Sequence, residues 1–138
     1  MTAVDFELRA GDLMTIEPVS VAVDALIEEA QRLILEFGVS GLPVIDEQGE
    51  LVGVISQTDF MHLQNPDLAS LIHNKTSGIR VGEVMSRPAV TVSIGTPLSK
   101  AARTMLDKRV HRVVVTDDHY RPVGVLSAMD FVELYADD

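Results

Sequence analysis

Two stretches of this chain follow the same pattern. Residues 10–63 align with residues 81–134 without a gap at an offset of 71, and 17 of the 54 aligned pairs are identical. Unrelated chains of ordinary composition would match at about a tenth of positions. A duplicated unit of this size predicts two small structural units, each of which buries its apolar face against the other.

The strongest match lies between LVGVISQTDF at residues 51–60 and PVGVLSAMDF at residues 122–131. In each copy an apolar run with strand character ends at a Ser, an Asp follows three positions later, and a second apolar pattern begins. The pattern predicts a strand that passes directly into a helix, with Ser56 and Asp59 at the first junction and Ser127 and Asp130 at the second. Both pairs also fit a capping box, which has a purely structural role. From the spacing alone, the structural and the ligand-binding interpretations both remain open.

Each copy predicts the element order β-α-β-β-α. In the first copy, Asp24 is expected to cap a helix that ends before Gly38, a residue suited to a left-handed helix end. The other predicted elements of this copy are strands at Val19–Val23, Leu42–Ile45 and Glu50–Ile55 and helices at Ala25–Phe37 and from Gln57.

The second copy repeats this plan. Thr96 is expected to cap a helix with Pro97 in its first position, which proline favours, and that helix runs to about Arg109. The remaining predicted elements are strands at Val113–Val115 and Pro122–Leu126 and a helix at Ala128–Tyr135. The division expected from the repeat is a lead-in at 1–9, a first repeat at 10–64, a linker at 65–80 and a second repeat at 81–138, forming one compact module.

Composition excludes several functions. The chain has no Cys, so disulfides, thiolate metal sites and thiol catalysis are excluded. No apolar run approaches the roughly 20 residues that span a bilayer, and the acidic residues near the N-terminus do not fit a signal peptide. We therefore expect a cytoplasmic protein that is not in a membrane. The beginning and end of the chain also suggest a complete small protein.

The net charge of −10 argues against binding to nucleic acid through phosphates. The charge is uneven along the sequence, because residues 1–71 carry a net −11 and residues 72–138 a net +1. We expect an anion to be steered towards the second half. No catalytic triad, phosphate loop, pair of acidic catalytic residues or metal-ligand cluster is present, so no enzyme activity is expected.

The two copies, GDLMT…LPVIDEQGELVGVISQTDF and GEVMS…HRVVVTDDHYRPVGVLSAMDF, together resemble a tandem pair of CBS domains, a Bateman module, over residues 10–135. The resemblance implies an α/β (α+β) fold of two pseudo-twofold-related β-α-β-β-α repeats packed through their sheets, as in a small stand-alone CBS-domain protein. One departure is Pro43, which corresponds to Val114 in the second copy.

The resemblance also implies a regulatory module that binds an adenosine nucleotide (AMP, ADP or ATP) or S-adenosylmethionine in two clefts, with no required cofactor. Cleft one would take Val54, Ser56, Thr58, Asp59, Val90, Val110, His111 and Arg112. Cleft two would take Val19, Val39, Ser40, Gly41, Val125, Ser127 and Asp130. The pair His111–Arg112 is similar to the His-Arg pair of the nucleotide-sensing subunits of AMP-activated kinases.

The chemistry of these residues suits such a ligand. A carboxylate can accept hydrogen bonds from vicinal ribose hydroxyls, and a guanidinium beside an imidazole suits phosphate. Alternatively, His111–Arg112 is a solvated basic pair at a strand edge. Cleft two has Met129 in place of Thr58 and Ser40–Gly41 in place of the basic pair, so cleft one is expected to be the occupied site.

Two classes of function remain. One is a sensor that signals to an unknown regulated protein or within its own homodimer; the other is an interaction scaffold whose clefts bind nothing. A third possibility is a regulatory piece of a larger enzyme or transporter. The homodimer is expected because the last helix of each repeat carries much apolar surface. The residues of this surface are Phe60, Met61, Leu63, Phe131, Val132, Leu134 and Tyr135.

Overall fold

The computed structural model describes residues 7–16, 19–63 and 78–136. The chain divides into two compact units. The central unit comprises Val19–Ala89, and the terminal unit comprises Met1–Pro18 together with Val90–Asp138. Each unit therefore holds most of one sequence repeat together with the segment that introduces the other repeat. Residues 65–77, which are most of the expected linker, lie outside the described residues.

The described elements confirm the mixed α/β class. In chain order they are α1 Ala10–Leu13, β1 Thr15–Ile16, β2 Val21–Ala22, α2 Ile27–Phe37, β3 Gly41–Ile45, β4 Leu51–Ser56, α3 Gln57–His62, α4 Val81–Val84, β5 Thr91–Ser93, α5 Leu98–Lys108, β6 Arg112–Thr116, β7 Pro122–Ser127 and α6 Ala128–Tyr135. The helix at Ala128–Tyr135 has the predicted bounds. The strand predicted at Val19–Val23 is shorter, since only Val21–Ala22 pairs with a neighbour.

The sheets of the two units follow one plan. The central unit has the strand order β2-β3-β4, and the terminal unit has the order β1-β7-β6-β5. In both units a parallel pair is followed by an antiparallel hairpin, β3–β4 or β6–β7. The hairpins share their register: Gly41 lies opposite Ser56 in one, and Arg112 lies opposite Ser127 in the other.

Pro43 does not disturb this register. It lies opposite Val54 as Val114 lies opposite Val125. The Val114 N–H donates a hydrogen bond to the Val90 carbonyl at 3.1 Å, and proline has no N–H to make the corresponding bond. The substitution removes one hydrogen bond at this position and leaves the hairpin intact.

The short helix at the start of each repeat packs within the unit that holds most of the other repeat. In the terminal unit the Ala10 N–H donates to the Thr96 carbonyl at 2.8 Å; in the central unit the Val81 N–H donates to the Ala25 carbonyl at 2.8 Å. Ala10 and Val81 are fully buried, and each belongs to the core of its unit. The buried core of the terminal unit consists of Ala10, Val92, Leu98, Ala101, Met105, Val113, Val115 and Leu126. That of the central unit consists of Val19, Val21, Ala30, Ile34, Leu42, Val44, Ile55 and Val81.

The predicted caps of the two long helices are wrong. Helix α2 has Leu26 as its N-cap and no side-chain cap, so Asp24 does not cap it. The first helical N–H, that of Ile27, donates instead to the Ile79 carbonyl at 3.0 Å. A distant backbone segment satisfies a donor that a nearby side chain was expected to satisfy.

In helix α5, too, a distant backbone carbonyl takes the place of the predicted side-chain cap. Pro97 is its N-cap and not its first residue, and the Leu98 N–H donates to the Leu8 carbonyl at 2.9 Å. The Thr96 hydroxyl accepts a hydrogen bond from the Ser93 N–H at 3.1 Å, so Thr96 stabilises the turn before the helix.

At the C-terminal end of α2, Gly38 adopts the expected left-handed conformation with φ of 63°.

Candidate functional site

The junction of β4 and α3 holds Asp59 in a network of hydrogen bonds. Ser56 is the N-cap of α3, and its N–H donates to Asp59 Oδ2 at 2.8 Å. The Ser56 hydroxyl donates to the same oxygen at 3.4 Å. This part of the capping box is present as the spacing predicted. It uses one of the two carboxylate oxygens.

The second oxygen of Asp59 is also occupied. Ser86 donates its hydroxyl to Asp59 Oδ1 at 2.7 Å, and the Asp59 residue is only 6% exposed. The backbone of Ser86 is held in place by two hydrogen bonds with Val54, N–H to O at 2.8 Å and the reverse at 3.0 Å. Ser86 itself is exposed. Sequence reasoning missed this residue, although the repeat aligns Met85–Ser86 with Met14–Thr15 and so places a hydroxyl there in both copies.

The corresponding junction in the terminal unit is more open. The Ser127 N–H donates to Asp130 Oδ2 at 2.7 Å, and the Asp130 N–H donates back to the Ser127 hydroxyl at 3.3 Å. Within the described part of the chain, no hydrogen bond reaches Asp130 Oδ1, and Asp130 is only half-buried. Thr15, at the position of Ser86, lies opposite Val125 in the β1–β7 pair. Asp130 thus keeps a carboxylate oxygen for a further donor.

The start of each hairpin lies next to the start of the helix that follows it. The Ala128 N–H donates to the His111 carbonyl at 2.8 Å, and Arg112 is the register partner of Ser127. Both His111 and Arg112 are exposed. The terminal unit therefore gathers a basic pair, a Ser hydroxyl and a half-buried carboxylate at one end of its sheet.

The central unit has the same arrangement without the basic pair. The Gln57 N–H donates to the Ser40 carbonyl at 3.1 Å, and Gly41 lies opposite Ser56. A side chain at Gly41 would come within 2.9 Å of the Ile55 carbonyl, so glycine is required by close approach of the two strands. Thr58 is exposed in the first turn of α3.

The valines that were assigned to the clefts mostly fill the cores. Val19 is buried in the core of the central unit, and Val39 packs against that core. Val90 and Val110 pack against the core of the terminal unit. Because both assigned clefts combine residues of the central and the terminal unit, the two residue sets stay predictions.

The net charge is divided more evenly between the two compact units than between the two halves of the sequence. The central unit contains 10 acidic and 4 basic residues, for a net −6, whereas the terminal unit has 11 acidic and 7 basic residues, for a net −4. The difference is smaller than that between the sequence halves because residues 1–18, with a net −3, belong to the terminal unit, and residues 72–89, with a net +2, belong to the central unit. The net charges of the two units therefore differ by only 2.

Neither a metal-binding cluster nor a membrane-spanning helix is found among the described residues. Over residues 7–16, 19–63 and 78–136, no group of three or more His, Asp or Glu side chains could hold a metal ion. In the same ranges, none of the helices has the length and apolar character needed to cross a membrane.

The duplicated strand–helix junctions on two similar α/β units are matched by a family model. The model for the CBS domain matches residues 10–65 and again residues 81–137. The chain belongs to the CBS-domain family, as a pair of CBS repeats. The resemblance seen in the sequence is thereby confirmed.

Individual relatives carry this pair within longer chains. The chain is 31% identical to the chloroplastic CBS domain-containing protein CBSX2 of Arabidopsis thaliana, over 91% of its own length and 60% of that protein. It is 27% identical to the L-aspartate semialdehyde sulfurtransferase of Methanocaldococcus jannaschii, over 90% of its own length and 22% of the enzyme. It therefore spans less than two thirds of the length of these relatives.

Solved structures show the same fold. A crystal structure of CBSX2 in complex with AMP superposes with a TM-score of 0.77 at 34% identity, covering 91% of this chain and 94% of that one. The CBS domain pair of protein MJ0100, in complex with 5′-methylthioadenosine and S-adenosyl-L-methionine, gives a TM-score of 0.74 at 25% identity, covering 94% of this chain and 96% of that one. The ligands of both structures contain adenosine.

Proposed function

We propose that this chain is a regulatory module that binds an adenosine nucleotide, with AMP, ADP and ATP as the expected ligands. The observation that carries the proposal is the junction at Asp130, where a carboxylate held by Ser127 keeps Oδ1 without a hydrogen bond from the described residues. Such an oxygen can accept a hydrogen bond from a ribose hydroxyl. The likeness to the AMP complex of CBSX2 supports the choice of ligand.

The phosphate is assigned to the basic pair. His111 and Arg112 are exposed at the start of β6, where a guanidinium fork can donate two charge-assisted hydrogen bonds to phosphate oxygens. By the family resemblance, these two residues face the ligand whose ribose is read by Asp59 and Ser56, while Ser40 and Gly41 face the ligand read by Asp130. This pairing of residues from the two units is part of the proposal.

S-adenosylmethionine is the second ligand proposed. The specific observation in its favour is the 25% identity to the MJ0100 domain pair, which holds this compound and 5′-methylthioadenosine. The ribose hydroxyls of S-adenosylmethionine need the same hydrogen-bond acceptor. The compound has no phosphate for Arg112 to bind. The two ligand classes therefore differ in their dependence on the basic pair.

The expected role is signalling by ligand occupancy and not catalysis. A cytoplasmic homodimer that passes the ligand signal to its partner copy or to a regulated protein remains part of this proposal. The competing scaffold function predicts that the junctions bind no adenosine compound at all.

A thermal-shift experiment tests the proposal. The full chain is heated with AMP, ADP, ATP, S-adenosylmethionine, NADH or GTP. A ligand present at a hundred times its Kd stabilises the folded state by about 2.7 kcal/mol, which corresponds to a shift in Tm of about 5–10 °C. We expect such a shift with at least one adenosine nucleotide. The double variant Asp59→Ala/Asp130→Ala, compared with its own ligand-free Tm, should show none.

Other results have definite meanings. A shift with S-adenosylmethionine alone selects the second ligand class. If no compound shifts the Tm, the scaffold function replaces the sensor. An equal shift in the wild type and in the double variant would remove both carboxylates from the binding site.

A further inference from the structure

The two junctions differ in the contact made by one aligned hydroxyl residue. Ser86 and Thr15 both follow a methionine and both stand against the strand that leads to the junction, Ser86 opposite Val54 and Thr15 opposite Val125. Ser86 donates its hydroxyl to Asp59 at 2.7 Å. Among the described residues, Thr15 makes no such contact with Asp130.

We propose that the Ser86 hydroxyl competes with the ribose for Asp59, so that the Asp130 end binds adenosine first and more tightly. This inference rests on the proposed function and identifies a contact within that site that regulates ligand binding. A ribose hydroxyl and the Ser86 hydroxyl are the same chemical group, and each would donate to the same carboxylate oxygen. Ser86 therefore acts as an internal substitute for the ligand.

The strength of the contact makes the competition effective. An O–H donor to a carboxylate at 2.7 Å lies in the short range of charge-assisted hydrogen bonds, which are stronger than bonds between neutral groups. A ligand at Asp59 must give up this bond to form its own. At Asp130 the corresponding oxygen accepts no hydrogen bond from the described residues, so no protein contact there has to be broken.

The position of Ser86 allows the contact to open without unfolding. Its backbone is held by two hydrogen bonds with Val54, while the residue is exposed. Rotation of this small exposed side chain about χ1 moves the hydroxyl away from Asp59 and frees its Oδ1 from the hydrogen bond. The bond at the Asp59 end can therefore open by a side-chain rotation.

The proposed order of affinities, with the Asp130 end tighter than the Asp59 end, is the reverse of the order expected from the sequence. The sequence argument used Thr58, the basic pair and the charge of the sequence halves. The charge argument loses most of its force, because the two units carry −6 and −4. What remains in favour of Asp59 is the exposed Thr58 hydroxyl and the phosphate contact, and a ligand without phosphate does not make the second of these.

Isothermal titration with adenosine, which has no phosphate, isolates the ribose contact. The full chain is compared as the wild type, Ser86→Ala and the matched control Thr15→Ala. We expect two unequal sites in the wild type. Ser86→Ala should tighten the weaker site about tenfold to a hundredfold, the range expected when one competing hydrogen bond to a charged group is removed. Thr15→Ala should leave both affinities unchanged. 2′-Deoxyadenosine has lost one of the two vicinal ribose hydroxyls. The gain in affinity caused by Ser86→Ala should therefore be smaller for this compound than for adenosine.

Several outcomes would overturn the inference. Unchanged or weaker binding in Ser86→Ala rejects the competition, as does an equal gain in Thr15→Ala. Loss of the tighter wild-type site in Asp59→Ala, with Asp130→Ala retaining it, rejects the proposed order. In each of these cases adenosine still binds, so the proposed function stands. Failure of all variants to bind adenosine, AMP or ATP rejects the proposed function and this inference with it.

A ligand-free measurement separates a folding defect from the expected effect. The carboxyl carbon resonance of Asp59 should move in Ser86→Ala, whereas that of Asp130 should not move in Thr15→Ala. Unchanged amide resonances away from residue 86 would show that the fold is intact. If the Asp59 resonance does not respond, the hydroxyl does not hold this carboxylate in solution, and the inference is wrong.

Discussion

At the level of single residues, the Asp117 carboxylate closes the turn between β6 and β7. Its Oδ1 accepts hydrogen bonds from the Arg121 N–H at 2.9 Å and the His119 N–H at 2.8 Å. The hydrogen bond from Arg121 is the main reason that the pKa of Asp117 lies below its ordinary value of 3.8. Both bonds favour the charged carboxylate.

This lowered pKa predicts a pH dependence of stability. Because the folded pKa of Asp117 is below the unfolded one, its contribution is present above pH 3.8 and is lost as the pH falls through the folded pKa. The stability advantage of the wild type over Asp117→Asn should therefore shrink on acidification below about pH 4. Denaturant unfolding at a series of pH values measures it. The neighbouring variant Asp118→Asn is the control, and the same loss of advantage there would contradict the assignment.

Arg112 provides a second test at the residue scale. If it binds phosphate, Arg112→Ala should weaken the binding of AMP or ATP by about 1.5–3 kcal/mol, the range for hydrogen bonds to charged groups. Adenosine should bind almost as well as before, because it offers no phosphate. Calorimetry with the nucleotide and the nucleoside gives both values. Equal losses for the two ligands would mean that Arg112 shapes the fold and does not bind the phosphate.

At the level of elements, the first segment of each repeat crosses a hairpin strand at a glycine. A Cβ at Gly124 would lie 2.8 Å from the Thr15 carbonyl oxygen, and one at Gly53 would lie 2.8 Å from the Ser86 carbonyl oxygen. Real Cβ atoms do not come this close to a backbone oxygen. Glycine at these positions permits the contacts that join α1–β1 and α4 to their units.

Gly124→Ala should accordingly destabilise the protein by about 1–3 kcal/mol, as expected when an atom is forced into a packed site. Gly95→Ala is the matched control, since a Cβ there meets no atom within 4 Å. Its effect should be close to zero. Chemical denaturation of both variants provides the comparison. Equal stability of the two variants would show that the segment simply moves away from the strand.

At the level of the whole molecule, the expected homodimer depends on apolar side chains of α3 and α6. Phe60 and Phe131 pack against the cores of their own units, so they are not free for a partner. Other members of the surface do remain exposed, with Met61 at 68%, Val132 at 58% and Tyr135 at 83%. Exposed apolar groups of this size are typical of an interaction surface.

We expect light scattering to give a mass of about twice the 15.0 kDa of the chain at tens of micromolar. Val132→Glu/Tyr135→Glu should return the monomer mass, because charged side chains are costly at a buried interface. Leu35→Glu, a change at an equally exposed leucine of α2, tests whether the effect is specific to this surface. A monomer mass for the wild type would remove the homodimer from the proposal.

The sequence predicted the features that depend on near neighbours along the chain. Alternating and helical apolar patterns located the strands and the last helix, and the spacing from Ser127 to Asp130 predicted a complete capping box. Gly38 marked a helix end for a local reason, its tolerance of a positive φ. Repetition of these local signals was sufficient to identify the family.

The tertiary structure decided which groups meet when they are distant in sequence. Ile79 and Leu8 supply carbonyls to the first turns of α2 and α5, which displaced the side-chain caps predicted at Asp24 and Thr96. Ser86 reaches Asp59 across 27 positions. A backbone or hydroxyl group leaves no periodic signal of its distant partner in the sequence, because any residue has a carbonyl and a serine suits many environments. Both aligned aspartates therefore look the same in the sequence, and only the packing of the preceding segment distinguishes the covered carboxylate from the open one.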